Sequence, residues 1–247
     1  MFKKKISLVI PAFNEASRLP GFLNALTQEF EVAGQTTEII IVDDGSREED
    51  KRIYRDVVAN SAGIQIKLIE NNLNQGKGAA LKQGFLAASG DWIGYTDADG
   101  ATSAKEIVRL IKLINEDQEH DGILGSRIRM LGYSNQRFLG RHLSGRVFVT
   151  VMNLILNIPA YDPQCGCKFF RKDKLLNLVN QTRQKGYLFD IELIYLSIRA
   201  RLNLIEVPIS WHDVPGSKVN VISDGFKMFW GLRGIKKDHT NFPVTKS

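Results

Sequence analysis

No apolar run in the 247-residue sequence approaches the ~18 residues a helix needs to cross a bilayer, so any membrane contact is expected to be peripheral. Only two cysteines occur, Cys165 and Cys167, with a single glycine between them. That spacing is poor geometry for a mutual disulfide and comes with no second ligand pair for zinc, so free thiols in a reducing cytoplasm are expected. Low-complexity segments and internal repeats are missing as well. The opening Met-Phe-Lys-Lys-Lys is basic, but the run after it is only ISLVI before Pro11, with no small-residue cleavage site, which fits a first strand rather than a secretion signal.

What is present is globular in composition, 43% apolar and 24% charged, and the length suits one large α/β domain. A net charge of +6 is compatible with nucleic acid, anionic lipid or phosphorylated substrates, and the scattered basic residues do not choose among them. From Ile6 to about Gly125, short β-rich runs (ISLVI, EIIIV, IKLI, WIGYT, ILG) alternate with helical patterns. These patterns begin near Ser17, near Glu48 and after Gly78, and the last runs from about Ser103 through Asn115. Continuous apolar strands separated by helices predict a mostly parallel sheet covered on both faces, doubly wound in the Rossmann manner.

Such sheets bind ligands beyond the carboxyl ends of their strands. The loops expected there hold Pro11-Ala12-Phe13-Asn14-Glu15, Asp43-Asp44-Gly45-Ser46, Asn72 to Gly78, and Asp97-Ala98-Asp99-Gly100. Asp97 and Asp99, two apart after a strand, point to one side of an extended backbone and suit Mg²⁺ or Mn²⁺, which takes oxygen ligands and completes its shell with water and substrate phosphates. A solvated turn closed by Gly100 accounts for them equally. Asp43 and Asp44 follow four β-branched residues, where a carboxylate can accept from a ribose or a base, or simply close a turn with Gly45 and Ser46. Lys77 stands between two glycines at a helix entrance, a place where backbone N–H groups and an ammonium can meet a phosphate, although no Walker sequence is present. The string from Asp97 to Thr102 has a superficial likeness to the aspartyl-nucleophile motif of haloacid-dehalogenase phosphatases, but that motif follows the first strand and this one the fourth.

Taken in order, PAFNE, VDDGS, NLNQGKG and DADGAT resemble the nucleotide-binding half of family 2 inverting glycosyltransferases. Further along, GSR at 125–127, DPQCGCKFF at 162–170, FDIELIY at 189–195 and EVPISWHDVPGSK at 206–218 resemble the branch that glucosylates dolichyl or other polyprenyl phosphates. The resemblance implies a nucleotide-diphospho-sugar transferase sandwich (GT-A, Rossmann-like) forming a single domain over 1–247. Residues 1 to about 125 would be the nucleotide-binding half, and about 126 to 247 the acceptor and membrane-facing half. It implies a nucleotide pocket at Pro11, Asn14, Glu15, Asp43 and Asp44, with Asp97 and Asp99 at a Mg²⁺ or Mn²⁺ ion and the diphosphate. Arg127, Arg141 and Lys168 become candidates for pairing with diphosphate or acceptor phosphate. Lys218 becomes one for closing over the site. Asp190 and Glu192 match the FDIEL element, but at i and i+2 of a helix only one of them can face the site.

The partners implied are a nucleotide-sugar donor, with UDP-glucose favoured, a polyprenyl phosphate acceptor and a membrane surface, and no nucleic acid. The protein would be peripheral on the cytoplasmic face, and self-association is left open. A hydroxyl acceptor on a glycan, or a non-catalytic nucleotide-sugar sensor at a membrane, are the alternatives. The membrane-facing surface is expected at Arg137 to Ile158, with Phe226 to Lys237 as a second segment rich in aromatic and basic residues. Thr150, Asn153 and Asn157 form one polar stripe along the first of these. Its other faces are apolar, so burial in the core or in a dimer contact is the competing reading.

Overall fold

The computed structural model describes residues 4–61, 63–117, 119–128, 130–136, 139–212, 214 and 221–242, with only the backbone described over 135–136, 139–147 and 221–228. In chain order the elements are β1 (Ile6–Ala12), α1 (Leu19–Val32), β2 (Thr37–Asp43), α2 (Glu48–Ala59), β3 (Ile66–Glu70), α3 (Lys77–Ala87), β4 (Trp92–Thr96), α4 (Ala104–Glu116) and β5 (Gly122–Ser126). They continue with β6 (Asn135–Gln136), α5 (Leu139–Leu156), β7 (Cys167–Arg171), α6 (Lys172–Val179), α7 (Phe189–Arg199), β8 (Leu204–Pro208), β9 (Trp211–His212) and α8 (Val221–Asp238). Seven strands form one sheet in the order β3-β2-β1-β4-β7-β5-β8, and β6 pairs with β9 beside it.

The sheet is parallel except for β7, which runs antiparallel to both β4 and β5. Successive residues of a strand face opposite sides, so each inner strand feeds two apolar layers. Leu8, Ile10, Ile39 and Ile41 pack beneath α1 and α4. Val9, Ile40, Val42 and Tyr95 pack against α3, α5, α7 and α8. The stripe Ile107, Leu110, Ile111 and Ile114 explains how α4 lies on the sheet, and its Ser103 cap accepts the Glu106 N–H.

One local expectation changes: helix α3 starts at Lys77 rather than after Gly78. The EVPISWH stretch is divided between β8 and β9, and CKFFR forms the antiparallel β7. Of the proposed membrane surface, Val149, Met152 and Leu156 of α5 are buried in the core, and Phe148, Val151 and Ile155 pack against it. The polar stripe Thr150, Asn153 and Asn157 faces outward. Over 148–156, α5 is therefore mainly a core helix, because its apolar residues find the sheet and α8; only Leu154 stands out, 81% exposed. Arg137 and the side chains of 139–147 lie outside the described residues. Among the described residues no helix is long and apolar enough to cross a membrane.

Candidate active site

The carboxyl ends of β1, β2 and β4 and the start of the antiparallel β7 share one rim, since Thr96 at the end of β4 stands opposite Cys167. At the β1–β3 end the loops are tied to one another by side chains. Asn14 takes a left-handed backbone (φ 53°) and accepts the Arg47 N–H through its amide oxygen at 3.0 Å, while its own N–H donates to Ser46 Oγ at 2.9 Å. The Glu15 N–H donates to the Tyr54 hydroxyl at 2.7 Å, and the Glu15 carboxylate holds Arg18. Asp43 Oδ1 accepts the Ser46 N–H at 3.1 Å, with Lys51 Nζ 3.8 Å from Oδ2. Burial pushes the Asp43 carboxyl above its ordinary range. Asp44 accepts the N–H groups of Gln75 and Gly76 at 2.9 and 2.8 Å, so it pins the loop leading into α3 rather than pointing free toward a ribose. Pro11 lies near the end of β1, half-buried and paired with Val42.

At the other end of the rim the charges meet each other. Gly76, in a left-handed conformation (φ 101°), turns the chain into α3 so that Lys77 leads the helix. Lys77 Nζ lies 2.7 Å from Asp97 Oδ1 and 3.6 Å from Asp190 Oδ2. Lys168 stands opposite Tyr95 in the β4–β7 register and is fully buried; its ammonium is 3.3 Å from Asp190 Oδ1 and donates to the Cys165 carbonyl. The Tyr95 hydroxyl also donates to Asp190. Burial opposes the Asp190 charge, but Lys168, Lys77 and the Tyr95 hydroxyl outweigh it and hold the carboxyl below its ordinary range. Burial likewise opposes the Lys77 ammonium, and Asp190 and Asp97 overcome it, so Lys77 stays charged well into the alkaline range.

Asp97 is half exposed, and its amide donates to the Gly166 carbonyl at 3.2 Å. Gly166 leaves room for that carboxylate: a Cβ there would fall 1.9 Å from Asp97 Oδ2. Asp99 uses Oδ1 to accept the Ala101 N–H at 3.0 Å, and its pKa is raised first by burial and then by the Asp97 charge. Two carboxylates that repel across a half-open rim suit a divalent cation. Among the described residues no group of three or more metal-ligating side chains occurs, so such an ion would draw further ligands from water and substrate phosphates.

Other candidates go elsewhere. The Arg127 guanidinium forms a bidentate pair with Asp162 at 2.6 and 2.7 Å and lies over the Trp211 ring, while Glu206 accepts the N–H groups of Tyr161 and Asp162. Its fork braces the loop after β5, and the guanidinium also feels the charge of Asp97 on the rim. Glu192 is completely buried on the far side of α7 from Asp190, where it accepts the N–H groups of Arg183 and Gln184 at 2.9 and 2.8 Å and pairs with His239 at 2.7 Å. These partners occupy both of its oxygens. Lys218 and the Arg141 side chain lie outside the described residues. Tyr95 and Gly166 were not singled out in the sequence, since a strand tyrosine and a glycine between cysteines carry no chemical signature until β7 is seen beside β4. Both cysteines are buried free thiols.

The model of glycosyl transferase family 2 matches residues 7–178. A dolichyl-phosphate beta-glucosyltransferase of Saccharomyces cerevisiae is 32% identical over 238 residues, spanning 90% of this chain and 71% of the relative. A human protein of the same description is 27% identical over 95% of this chain and 74% of its own length. Among solved structures, a glucosyl-3-phosphoglycerate synthase from Mycobacterium tuberculosis, in complex with Mn²⁺, UDP-glucose and phosphoglyceric acid, superposes with a TM-score of 0.69 at 15% identity over 97% of this chain and 81% of that one. A mannosyl-3-phosphoglycerate synthase from Rubrobacter xylanophilus reaches 0.69 at 14% identity over 96% and 74%. At these identities the two structures speak to the GT-A fold.

Proposed function

The chain belongs to glycosyl transferase family 2, and we propose that it transfers glucose from UDP-glucose to a polyprenyl phosphate with inversion at the anomeric carbon. The observation that carries this reading is the cluster in which Lys77 and Lys168 flank Asp190 and Lys77 reaches Asp97, beside Asp99 on the open rim. A reaction between a nucleoside diphosphate and a phosphate must hold two anions together, and this cluster supplies fixed cations where they would meet.

A phosphate monoester has a second pKa near ~6, so the acceptor oxygen is already largely anionic at neutral pH and attacks without a strong base. A hydroxyl acceptor would need one. Asp190, held below its ordinary range between two lysines, and Glu192, occupied by two amides and His239, are both poor bases. That favours the phosphate acceptor. Asp97 and Asp99 would hold Mg²⁺ or Mn²⁺, which neutralises charge developing on the leaving diphosphate. Lys77 would turn from Asp97 toward that diphosphate as it enters. Asp43, with one buried oxygen lacking a hydrogen bond, would meet the nucleoside.

For the membrane, the described part of α8 offers Trp230, 65% exposed, with the Arg233 guanidinium over its ring, and exposed Lys236 and Lys237; α5 lies alongside with Leu154. An exposed indole among cations suits a headgroup interface. The decisive test mixes the purified protein with UDP-glucose, Mn²⁺ and a polyprenyl phosphate and follows both UDP release and glucosyl lipid. Transfer should occur, and Asp97→Asn or a chelator should remove about 99% of it or more. Transfer that persists near the full level after both treatments rejects the metal reading; UDP release that ignores the lipid rejects the acceptor.

A further inference from the structure

Glu192 and His239 are both buried and hydrogen-bonded to each other, yet neither touches the rim. Their connections nonetheless run there. Through Oε2, Glu192 holds the N–H groups of Arg183 and Gln184, the start of the loop that precedes α7. That loop is packed on the N-terminus of α3: the Lys185 carbonyl accepts the Ala79 N–H at 3.1 Å, and a Cβ at Gly76 would fall 2.5 Å from the same oxygen. At Gly78 it would fall 2.5 Å from Phe189 Cβ. Lys77 lies between these two glycines, so where this loop sits decides where its ammonium points.

On the other side, the loop and the start of α7 are clasped by the end of α8. His239 Nε2 is 2.7 Å from Glu192 Oε1, Asp238 pairs with Arg183 at 3.2 Å, and Gly231 approaches Leu188 so closely that a Cβ would meet its side chain. No equivalent clasp is needed to bury α8, whose Leu232 and Ile235 already sit in the core. A buried carboxylate that takes two amides and an imidazole is costly unless all are kept, which makes it a precise fastening.

We propose that His239, acting through Glu192 and the 183–186 loop, is a positioning residue for Lys77, so that the His239–Glu192 contact, rather than the packing of α8 as a whole, sets the geometry of the phosphate-binding end of the site. The link rests on the reading of that site given above, but its mechanical part stands apart from any ligand.

Two measurements test it on the full chain. In the unliganded protein, hydrogen exchange of 76–80 should rise in His239→Leu and stay low in His239→Gln, whose amide can still donate to Glu192. Leu232→Ala, which loosens α8 without touching Glu192, should leave 76–80 protected when compared at equal global stability. In transfer assays, His239→Leu should lower kcat about tenfold in the parent and have little further effect in Lys77→Ala, since residues acting through one another are not additive. Unchanged exchange at 76–80, or two losses that simply multiply, overturns the link. Should His239→Leu not fold, Glu192→Gln is read in the same two ways. Exchange that follows the expected pattern in a protein that proves unable to transfer glucose supports the mechanical link and rejects only the proposed reaction.

Discussion

At the β1–β3 end of the rim, Asp43, Asp44 and Asp50 accept backbone N–H groups of Ser46, of Gln75 and Gly76, and of Ala16. At the β4–β7 end, Asp97 and Asp190 are met by the side chains of Lys77, Lys168 and Tyr95. Carboxylates spent on backbone amides fix the shape of loops and cannot be traded for a ligand without loosening them. A carboxylate paired with a lysine side chain, as Asp97 is with Lys77, can exchange that pair without disturbing the backbone, because an incoming phosphate offers the lysine an alternative partner. The first end is thus built as a mould and the second as an exchangeable set of charges.

The sharpest way to break this distinction is Gly166→Ala. Its Cβ would collide with the far end of the Asp97 side chain, which moves aside more readily than backbone, so the fold should hold while the carboxylate is misplaced. Transfer should fall on the order of a hundredfold, as for reacting groups displaced by about 1 Å, with little change in Tm. Wild-type rates in this variant would mean that the position of Asp97 does not matter. Asp44→Ala probes the opposite end. It leaves the Gln75 and Gly76 amides without their acceptor, at about 1–3 kcal/mol, and a chain of this size loses about 2–4 °C of Tm per kcal/mol. Calorimetric UDP affinity that drops while Tm stays put would show that Asp44 serves the ligand and not the loop.

The smallest effect concerns pH. Folding raises the Asp99 pKa, so its charge costs stability above that value and the cost disappears as pH falls through it; a cation and a proton then compete for the same carboxylate. Asp190 is shifted the other way, so the stability from its pairs is present above the ordinary carboxylate range and lost only as pH falls below it. The rise in Tm given by Mn²⁺ should therefore shrink as pH falls through the carboxylate range, and Asp99→Asn should flatten that dependence. A pH dependence of the increment that is the same in Asp99→Asn as in the parent would remove Asp99 from the metal site.

The alternation of apolar strands and helices made the order β1 to β5 readable, because each run is either fully buried or striped at helical spacing. Strand β7 was not readable: CKFF is short, and its direction depends on β4 and β5 leaving a gap between them. The consequence for the site is direct, since Lys168 and Tyr95 meet only across that pairing. Motif order brought Asp97, Lys77 and Asp190 to attention. It did not reveal that Arg127 is closed on Asp162 or that Glu192 is buried under His239, because a motif records which residues recur and not which neighbours claim their hydrogen bonds. For a related reason the sequence did not show that most apolar residues of α5 over its described part lie in the core. An apolar helix reads the same whether lipid or a sheet covers it, and here the sheet and α8 do.

The insertion of β7 between β4 and β5 also bears on how the chain comes together in time. As synthesis proceeds, β4 and β5 are made with no bond between them, and the strand that joins them follows about forty residues after β5 ends. Until it arrives, both expose unpaired edges of the kind that invite association with other chains. A fragment stopped near residue 125 would contain every loop of the nucleotide side and still lack the strand that completes its sheet. The last strand to join the centre also brings Lys168, so closing the sheet and charging the site are one event.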